Sequence, residues 1–555
     1  MNTTFDYLII GGGSAGCVLA ARLSENPSVT VALLEAGGVD SSVMIHCPAG
    51  LVMLAQNGAA NWKFQTTPQA GLNGRRGYQP RGKVLGGSSS VNAMIYARGH
   101  AQDYDGWARA VGEDPSRSRW GWSHALQSFK AFEHNENFAS DTAYHGAGGE
   151  LNVKNLTTPN PFTSRFLQAG VEAGYTFERD FNGEWMTSNR EVVGPFQVTH
   201  KNGERFSAAK AFLTPNLSRP NLTVITNAQV TKIVLQANTD VAFEALSSGK
   251  YRATGVEFIR NGALQTCHAK REVLLSAGAI QSPQILQLSG IGAGADLQSV
   301  GIETLIDLPG VGENLHDHVD VVQVHAAPKA VDTFGLSLPF IPRAIKGIFE
   351  WRKHRTGMMT TNFAEGGGFI KSRGDVPHPD LQLHFVIGKL INHGRTPTLG
   401  HGFSSHVCLL RPDSRGSVKL ASPNITDAPL IDPAFLAKES DMQRMIEGFK
   451  HMRRILQAPA LAGYKGKELM SVEAKTDGQI EDFIRNHADT IYHPVGSCKM
   501  GAANDSMAVV GSDLKVRGVA GLRVVDASIM PTIVSGNTNA PTMMIAQVAA
   551  GLIAG

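Results

Sequence analysis

Residues Gly11-Gly-Gly-Ser-Ala-Gly16 fit the pattern G-x-G-x-x-G, and their chemistry is phosphate binding. Gly11 permits a tight turn, Gly13 lets a pyrophosphate approach the backbone, and Gly16 lets a helix pack closely on a strand. The helix that follows would offer N-terminal N–H groups and a positive dipole end, which favour an anion. Glu35 follows 19 residues beyond Gly16. Its carboxylate can accept hydrogen bonds from ribose hydroxyls and would repel a 2′-phosphate, which disfavours NADP.

The elements needed to position this loop are legible around it. Phe5–Ile10 is apolar almost throughout, as a buried parallel strand is, and Cys17–Leu23 has helical spacing. Val29–Leu34 reads as a second strand ending in Glu35. Strand, glycine loop, helix, strand and acid in this order predict a Rossmann-like α/β fold for an ADP-containing cofactor, with FAD and NAD both open at this point.

Bulk composition narrows the class. A chain of 555 residues predicts more than one domain. Its 51 Lys and Arg nearly balance 48 Asp and Glu, so no nucleic-acid partner is expected. The only compact basic run, Trp351–Arg355, reads as a solvated surface. Five scattered cysteines show neither a disulfide framework nor metal-ligand spacing, which fits a reducing compartment. No export signal is recognisable at the start, and no apolar stretch has transmembrane length, so a cytoplasmic location is expected.

Three further segments resemble the glucose–methanol–choline (GMC) oxidoreductase family. Arg81-Gly-Lys-Val-Leu-Gly-Gly-Ser-Ser-Ser-Val-Asn-Ala-Met94 is similar to its first signature and Gly278–Gly292 to its second. His493-Pro-Val-Gly-Ser-Cys-Lys-Met-Gly501, Val525-Asp526 and Asn537–Pro541 resemble its catalytic end. The resemblance spans residues 5–553, and within the family it is nearest to bacterial FAD-dependent alcohol dehydrogenases of the alkane-oxidation type. It implies a Rossmann-like FAD-binding domain (residues 1–150, 192–317 and 484–555) and a substrate-binding domain on an antiparallel sheet (151–191 and 318–483), α+β overall.

The same resemblance assigns the cofactor site. FAD is expected against Gly11, Gly13, Ser14, Ala15, Gly16, Glu35, Ala36 and Trp62. The first signature adds Arg81, Val84, Gly86, Gly87, Ser88, Asn92, Ala93 and Met94, with Asn92 near the flavin ring. Val230, in a strand-like stretch Thr223–Val234, is expected at the adenine through its backbone. Ala277, Asp526, Ala527, Asn537, Asn539, Ala540 and Pro541 complete the set, with Asn539 at the pyrimidine edge. Val91 stands where some relatives carry a histidine that attaches FAD covalently, so non-covalent FAD is expected. Pro541 also sits where a helix over Thr542–Ile553 would begin, a position Pro favours, and its N-terminus would stabilise negative charge on the flavin.

The implied reaction takes a hydride from a primary alcohol to flavin N5. Such a substrate must lose its hydroxyl proton, and a neutral imidazole can take it near neutral pH. Standing alone, one of 19 histidines carries no such weight; the match singles out His493 as the base. Asn537 cannot titrate near neutral pH, so its amide would orient the substrate oxygen. Glu365, before Gly366-Gly-Gly368, is placed in the substrate cavity, where a choline reading would use its charge.

In the other half, Leu381–Phe385 and Ser417–Ala421 alternate as half-buried antiparallel strands do. Leu336–Trp351 is apolar and basic by turns: one reading is a packed helix or lid, the other a surface patch dipping into the inner-membrane interface near the quinone pool. The electron acceptor expected is a quinone or an artificial carrier. The alternatives are a choline or polyethylene-glycol dehydrogenase and an oxygen-using oxidase. A decarboxylase is disfavoured because Leu410, not a cysteine, precedes Arg411-Pro412. The sequence is silent on oligomeric state.

Overall fold

The computed structural model describes residues 3–54, 58–237, 250–327, 332–392, 394–396 and 398–554. Its first sheet runs in the order Leu222–Ile225, Val31–Leu34, Thr4–Ile10, Ala263–Leu275, Tyr251–Arg260, Gln229–Ala237. The first four strands are parallel neighbours, and Leu522–Val524 also adds in parallel to Ala263–Leu275. Tyr251–Arg260 and Gln229–Ala237 continue antiparallel. Helix Ser14–Leu23 packs against the C-terminal helix Asn539–Ala554, both buried along most of their length. A strand covered on both faces can be continuously apolar, as Leu8, Ile9 and Ile10 are.

The stretch Thr223–Val234, expected as one strand, is two. Asn227 adopts φ +55° and turns the chain between Leu222–Ile225 and Gln229–Ala237. Asparagine tolerates that left-handed region better than most residues.

A second sheet lies in the order Asp489–Thr490, Val319–Ala326, Gly400–Leu409, Leu381–Val386, Ala364–Ile370, Val192–Pro195, Thr176–Phe177. It is antiparallel except for its last pair. Strands Val192–Pro195 and Asp489–Thr490 therefore belong to this sheet, although 192–317 and 484–555 were expected on the cofactor side. Strand Leu381–Val386 is buried on both faces rather than one. Helices Pro161–Glu172 and Glu439–Leu456 supply apolar cover: Phe166 stacks on Phe385, and Met442, Met445 and Phe449 join the same core. Ser417–Ala421, expected beside them, instead contributes Gly416–Lys419 to a separate sheet with Glu313–Leu315 and Leu430–Asp432.

Candidate active site

One continuous cavity of about 370 Å³ runs between the two sheets. One wall is the glycine loop. Gly11 has φ +99°, and a Cβ on Gly16 would lie 1.9 Å from the Gly11 carbonyl oxygen, so neither position accepts a side chain. Gly13 is different: its nearest neighbour to a built Cβ is 3.9 Å away, and it faces open cavity. Helix Ser14–Leu23 begins there with no side-chain cap and no acid in its first turn. A glycine opening onto space before an uncapped helix end is the donor set a pyrophosphate needs. Ser276 Oγ, also on the wall, has no hydrogen-bond partner within the described chain. These features fit a dinucleotide cofactor.

Most of the expected contact residues line this cavity: Gly11, Gly13, Ser14, Ala15, Glu35, Ala36, Trp62, Arg81, Gly87, Ser88, Asn92, Ala93, Met94, Val230, Ala277, Asp526, Ala527, Asn537 and Asn539. Val91 lines it too. Gly16, Val84, Gly86, Ala540 and Pro541 do not; they shape the wall from behind. Gly86 N–H, for example, donates to the Gly12 carbonyl at 2.7 Å. The C-terminal helix starts at Asn539, so Pro541 is its third residue, still in the first turn. Asn539 Oδ1 accepts from Ser14 Oγ at 2.7 Å, tying the two helix N-termini together.

Glu35 is buried, and its carboxylate accepts from Gly12 N–H and Gly37 N–H, both at 2.8 Å. Those bonds shape the loop and leave further lone pairs for ribose hydroxyls. Burial pushes its pKa up to about 7 against these two bonds. Arg81 is half-buried and donates to the Tyr492 carbonyl at 2.6 Å, and loss of solvent brings its pKa down to about 10.

On the cavity wall, His493 Nε2 meets Asn537 Nδ2 at 3.2 Å. Both come from the C-terminal segment, yet the second sheet orients them. His493 Nδ1 lies 3.0 Å from His318 Nδ1, and His318 Nε2 lies 3.1 Å from the Leu410 carbonyl. A carbonyl only accepts, so His318 carries its proton on Nε2 and presents a bare Nδ1. His493 must then donate from Nδ1, which leaves Nε2 as an unprotonated base. Burial holds His318 down to about 4, and His493 lies well below the usual imidazole value through burial, His318, His384 and Arg81. Both rings are neutral at pH 7, so one shared proton satisfies the contact.

Two more partners complete the arrangement. Gln382 Nε2 donates to Asn537 Oδ1 at 3.3 Å, turning the Asn537 NH₂ group toward His493. Asp317 Oδ1 accepts the His493 backbone N–H at 2.8 Å, while its Oδ2 takes Thr490 Oγ1 and Gln79 Nε2. Tyr492 just before the histidine holds φ +76°, a conformation that costs energy in a non-glycine residue and aims His493 inward. His318, Asp317 and Gln382 were not singled out from the sequence. The cluster His316-Asp-His318 was the one available signal; Gln382 looks like any polar residue of a strand.

Glu365 does not line the cavity, although Ala364 beside it does. Its carboxylate points into the protein and accepts from Asn160 N–H at 2.6 Å, Thr361 Oγ1 at 2.6 Å and Thr163 Oγ1 at 3.0 Å. Burial raises its pKa against these three bonds. Its role in this geometry is to join helix Pro161–Glu172 to the sheet, not to face a substrate.

A buried imidazole beside an amide, in a cavity that fits a dinucleotide, is an arrangement suited to oxidoreductase chemistry. Residues 5–320 and 412–546 match two family profiles, each described as GMC oxidoreductase. The chain is 46% identical over 552 residues to an alcohol dehydrogenase [acceptor] of Pseudomonas putida, covering 99% of this chain and 95% of that one. It is 42% identical to the mitochondrial choline dehydrogenase of Mus musculus, covering 99% of this chain and 89% of the relative. A solved formate oxidase of Aspergillus oryzae, studied for FAD modification, superposes with a TM-score of 0.88 at 25% identity, over 100% of this chain and 98% of that one. The chain belongs to the GMC oxidoreductase family, and its cofactor is FAD.

Proposed function

We propose that the protein is an FAD-dependent dehydrogenase of primary alcohols, giving aldehydes, with FAD held non-covalently. The observation that carries the reading is the placement of His493 in the cavity, with Nε2 3.2 Å from Asn537 Nδ2 and Nδ1 3.0 Å from His318 Nδ1. Bound FAD supplies the hydride acceptor at N5.

His493 Nε2 takes the hydroxyl proton as the alcohol is oxidised, and Asn537 Nδ2 donates to the same oxygen. The proton comes to rest on a buried imidazole, whose positive charge is disfavoured there and which therefore readily passes it on. Gly13 and the N–H groups of Ser14 and Ala15 would hold the pyrophosphate, Glu35 the ribose, Val230 the adenine side, and Asn92, Asn539 and Arg81 the flavin end. Val91 offers no nucleophile for a covalent link. Phe363, Val386, Leu390 and Ile491 give the cavity an apolar stretch of wall, which suits an aliphatic alcohol, and Glu365 offers no counter-charge to choline. We assign residues 1–150, 192–317 and 484–555 chiefly to the cofactor and the remainder chiefly to the substrate. Electrons leave to a quinone-type carrier, with the enzyme on the cytoplasmic side of the inner membrane as a peripheral protein; no described helix is long and apolar enough to cross one.

The test is anaerobic mixing of the holoenzyme with hexanol, benzyl alcohol, choline or a glycol, followed by air. Hexanol should bleach the flavin fastest, and colour should return slowly in air. His493→Ala should keep its FAD yet lose bleaching by roughly 10²–10⁴-fold, the usual worth of a general base. Choline as the best substrate would overturn the substrate class, and rapid reoxidation by air would make the enzyme an oxidase.

A further inference from the structure

Helix Phe340–His354 is held to the protein by one narrow edge. Of its 15 residues only Gly347 and Trp351 are buried. Gly347 lies flat on Met358, where a Cβ would come within 2.6 Å of Cγ, and Trp351 Nε1 donates to the Gly203 carbonyl at 2.8 Å. Most of the remaining residues are exposed, and they divide into an apolar set and a basic set. Ile341, Ile345 and Ile348 stand one turn apart on a single stripe, with Phe349 at its edge 69% exposed.

The stripe continues onto other segments. Leu338 and Leu399 are each 84% exposed, and Leu399 is bridged to Leu336, itself exposed. Singly exposed apolar side chains are ordinary, but several grouped on one face mark an interaction surface. Beside the stripe lies a basic one: Lys346 and Lys353 share a flank with Arg343, and Arg352 sits within the apolar arc. The one acid on the helix, Glu350, accepts from Thr356 Oγ1 at 3.2 Å and turns toward the protein.

We propose that this face docks on an anionic lipid bilayer, with Ile341, Ile345, Ile348 and Phe349 inserted at the headgroup boundary and Lys346, Arg352 and Lys353 on lipid phosphates. An apolar stripe flanked by cations along a helix lying on the surface is the geometry such contact requires. A second copy of the chain is the poorer partner. A two-fold interface would set these cations against the same cations, with little acid to offset them.

The placement also bears on the substrate. Phe334 packs edge-on against Phe340 of the helix and against Phe363, which lines the cavity. Leu390 and Arg395, on the segment that carries Leu399, line the cavity as well. The docked face and the outer cavity wall are built from the same chain, so an alcohol dissolved in the bilayer would meet the protein beside its binding site. This consequence rests on the alcohol reading above; the docking itself does not.

The experiment is co-sedimentation of the full holoenzyme, without substrate, with phosphatidylcholine vesicles that contain or lack phosphatidylglycerol. Wild type should pellet with the phosphatidylglycerol vesicles at low salt, and salt should release it. The double variant Ile345→Asp/Phe349→Asp, checked for unchanged flavin content, should bind at least about tenfold less. Wild type left in the supernatant, equal binding to vesicles lacking phosphatidylglycerol, or unchanged binding of the variant would each overturn the proposal. So would a wild-type dimer in solution that the variant splits, because the face would then join two copies. Binding is read without turnover, so failure here leaves the reaction assignment untouched.

Discussion

Replacing His318 with leucine removes the acceptor that fixes the proton of His493. In the native arrangement, Leu410 carbonyl, His318 and His493 form a one-way chain over contacts of 3.1 and 3.0 Å. Without His318, His493 either keeps a buried Nδ1–H with no partner or moves that proton to Nε2, where it blocks the base. An unsatisfied buried donor costs about 1–3 kcal/mol, and that penalty now disfavours the reactive tautomer. At 1.36 kcal/mol per tenfold, the rate of anaerobic flavin reduction should fall roughly 5- to 160-fold. FAD content should stay near wild type, because His318 does not line the cavity. His318→Asn, whose amide oxygen can stand in for Nδ1, should recover much of the loss. Stopped-flow reduction at saturating alcohol reads all three proteins. A leucine variant that reduces at the wild-type rate, with full flavin content, would refute the tautomer argument.

Other outcomes follow from the same geometry. Gly87→Ala puts a Cβ 2.7 Å from Gly13 Cα at a φ of +53°, so the two glycine loops must part. The purified variant should show a strongly reduced flavin-to-protein absorbance ratio. Gln382→Leu frees the Asn537 amide to rotate; losing one hydrogen bond of about 0.5–1.5 kcal/mol should lower kcat/KM roughly 2- to 13-fold without loss of FAD. The pH dependence of apoprotein stability has a defined sign. Burial lowers His200, His316 and His384 to about 3 and His318 and His325 to about 4, against an ordinary value of 6.5. The unfolded chain therefore binds more protons on these groups, so their contribution is complete above pH 6.5 and is lost as pH falls toward 4. Glu35 at about 7 and Asp317 at about 6 act oppositely, as do the raised Glu365, Asp489 and Asp526, but with His46, His100, His378, His487 and His493 also lowered the histidines outnumber them. The apoprotein Tm should fall steeply between pH 6.5 and 4, and a Tm that rises over this window would contradict the buried neutral histidines.

The amino-acid sequence by itself determined the cofactor half. Strand, glycine loop, helix and Glu35 are contiguous, and their periodicity and spacing are local properties that one turn and two short elements impose. The family signatures likewise mark Gly87, Asn92, His493 and Asn537 without any knowledge of what surrounds them. Only the tertiary structure decided how His493 is tuned. His318 stands 175 residues from His493, and Gln382 stands 155 from Asn537, so no local pattern could pair them. The same holds for Glu365, whose type suggested a substrate charge but whose carboxylate folds inward onto Asn160, Thr163 and Thr361. A strand's alternation tells which residues share a face; whether that face meets a helix, a cavity or a catalytic ring depends on what the rest of the chain packs against it.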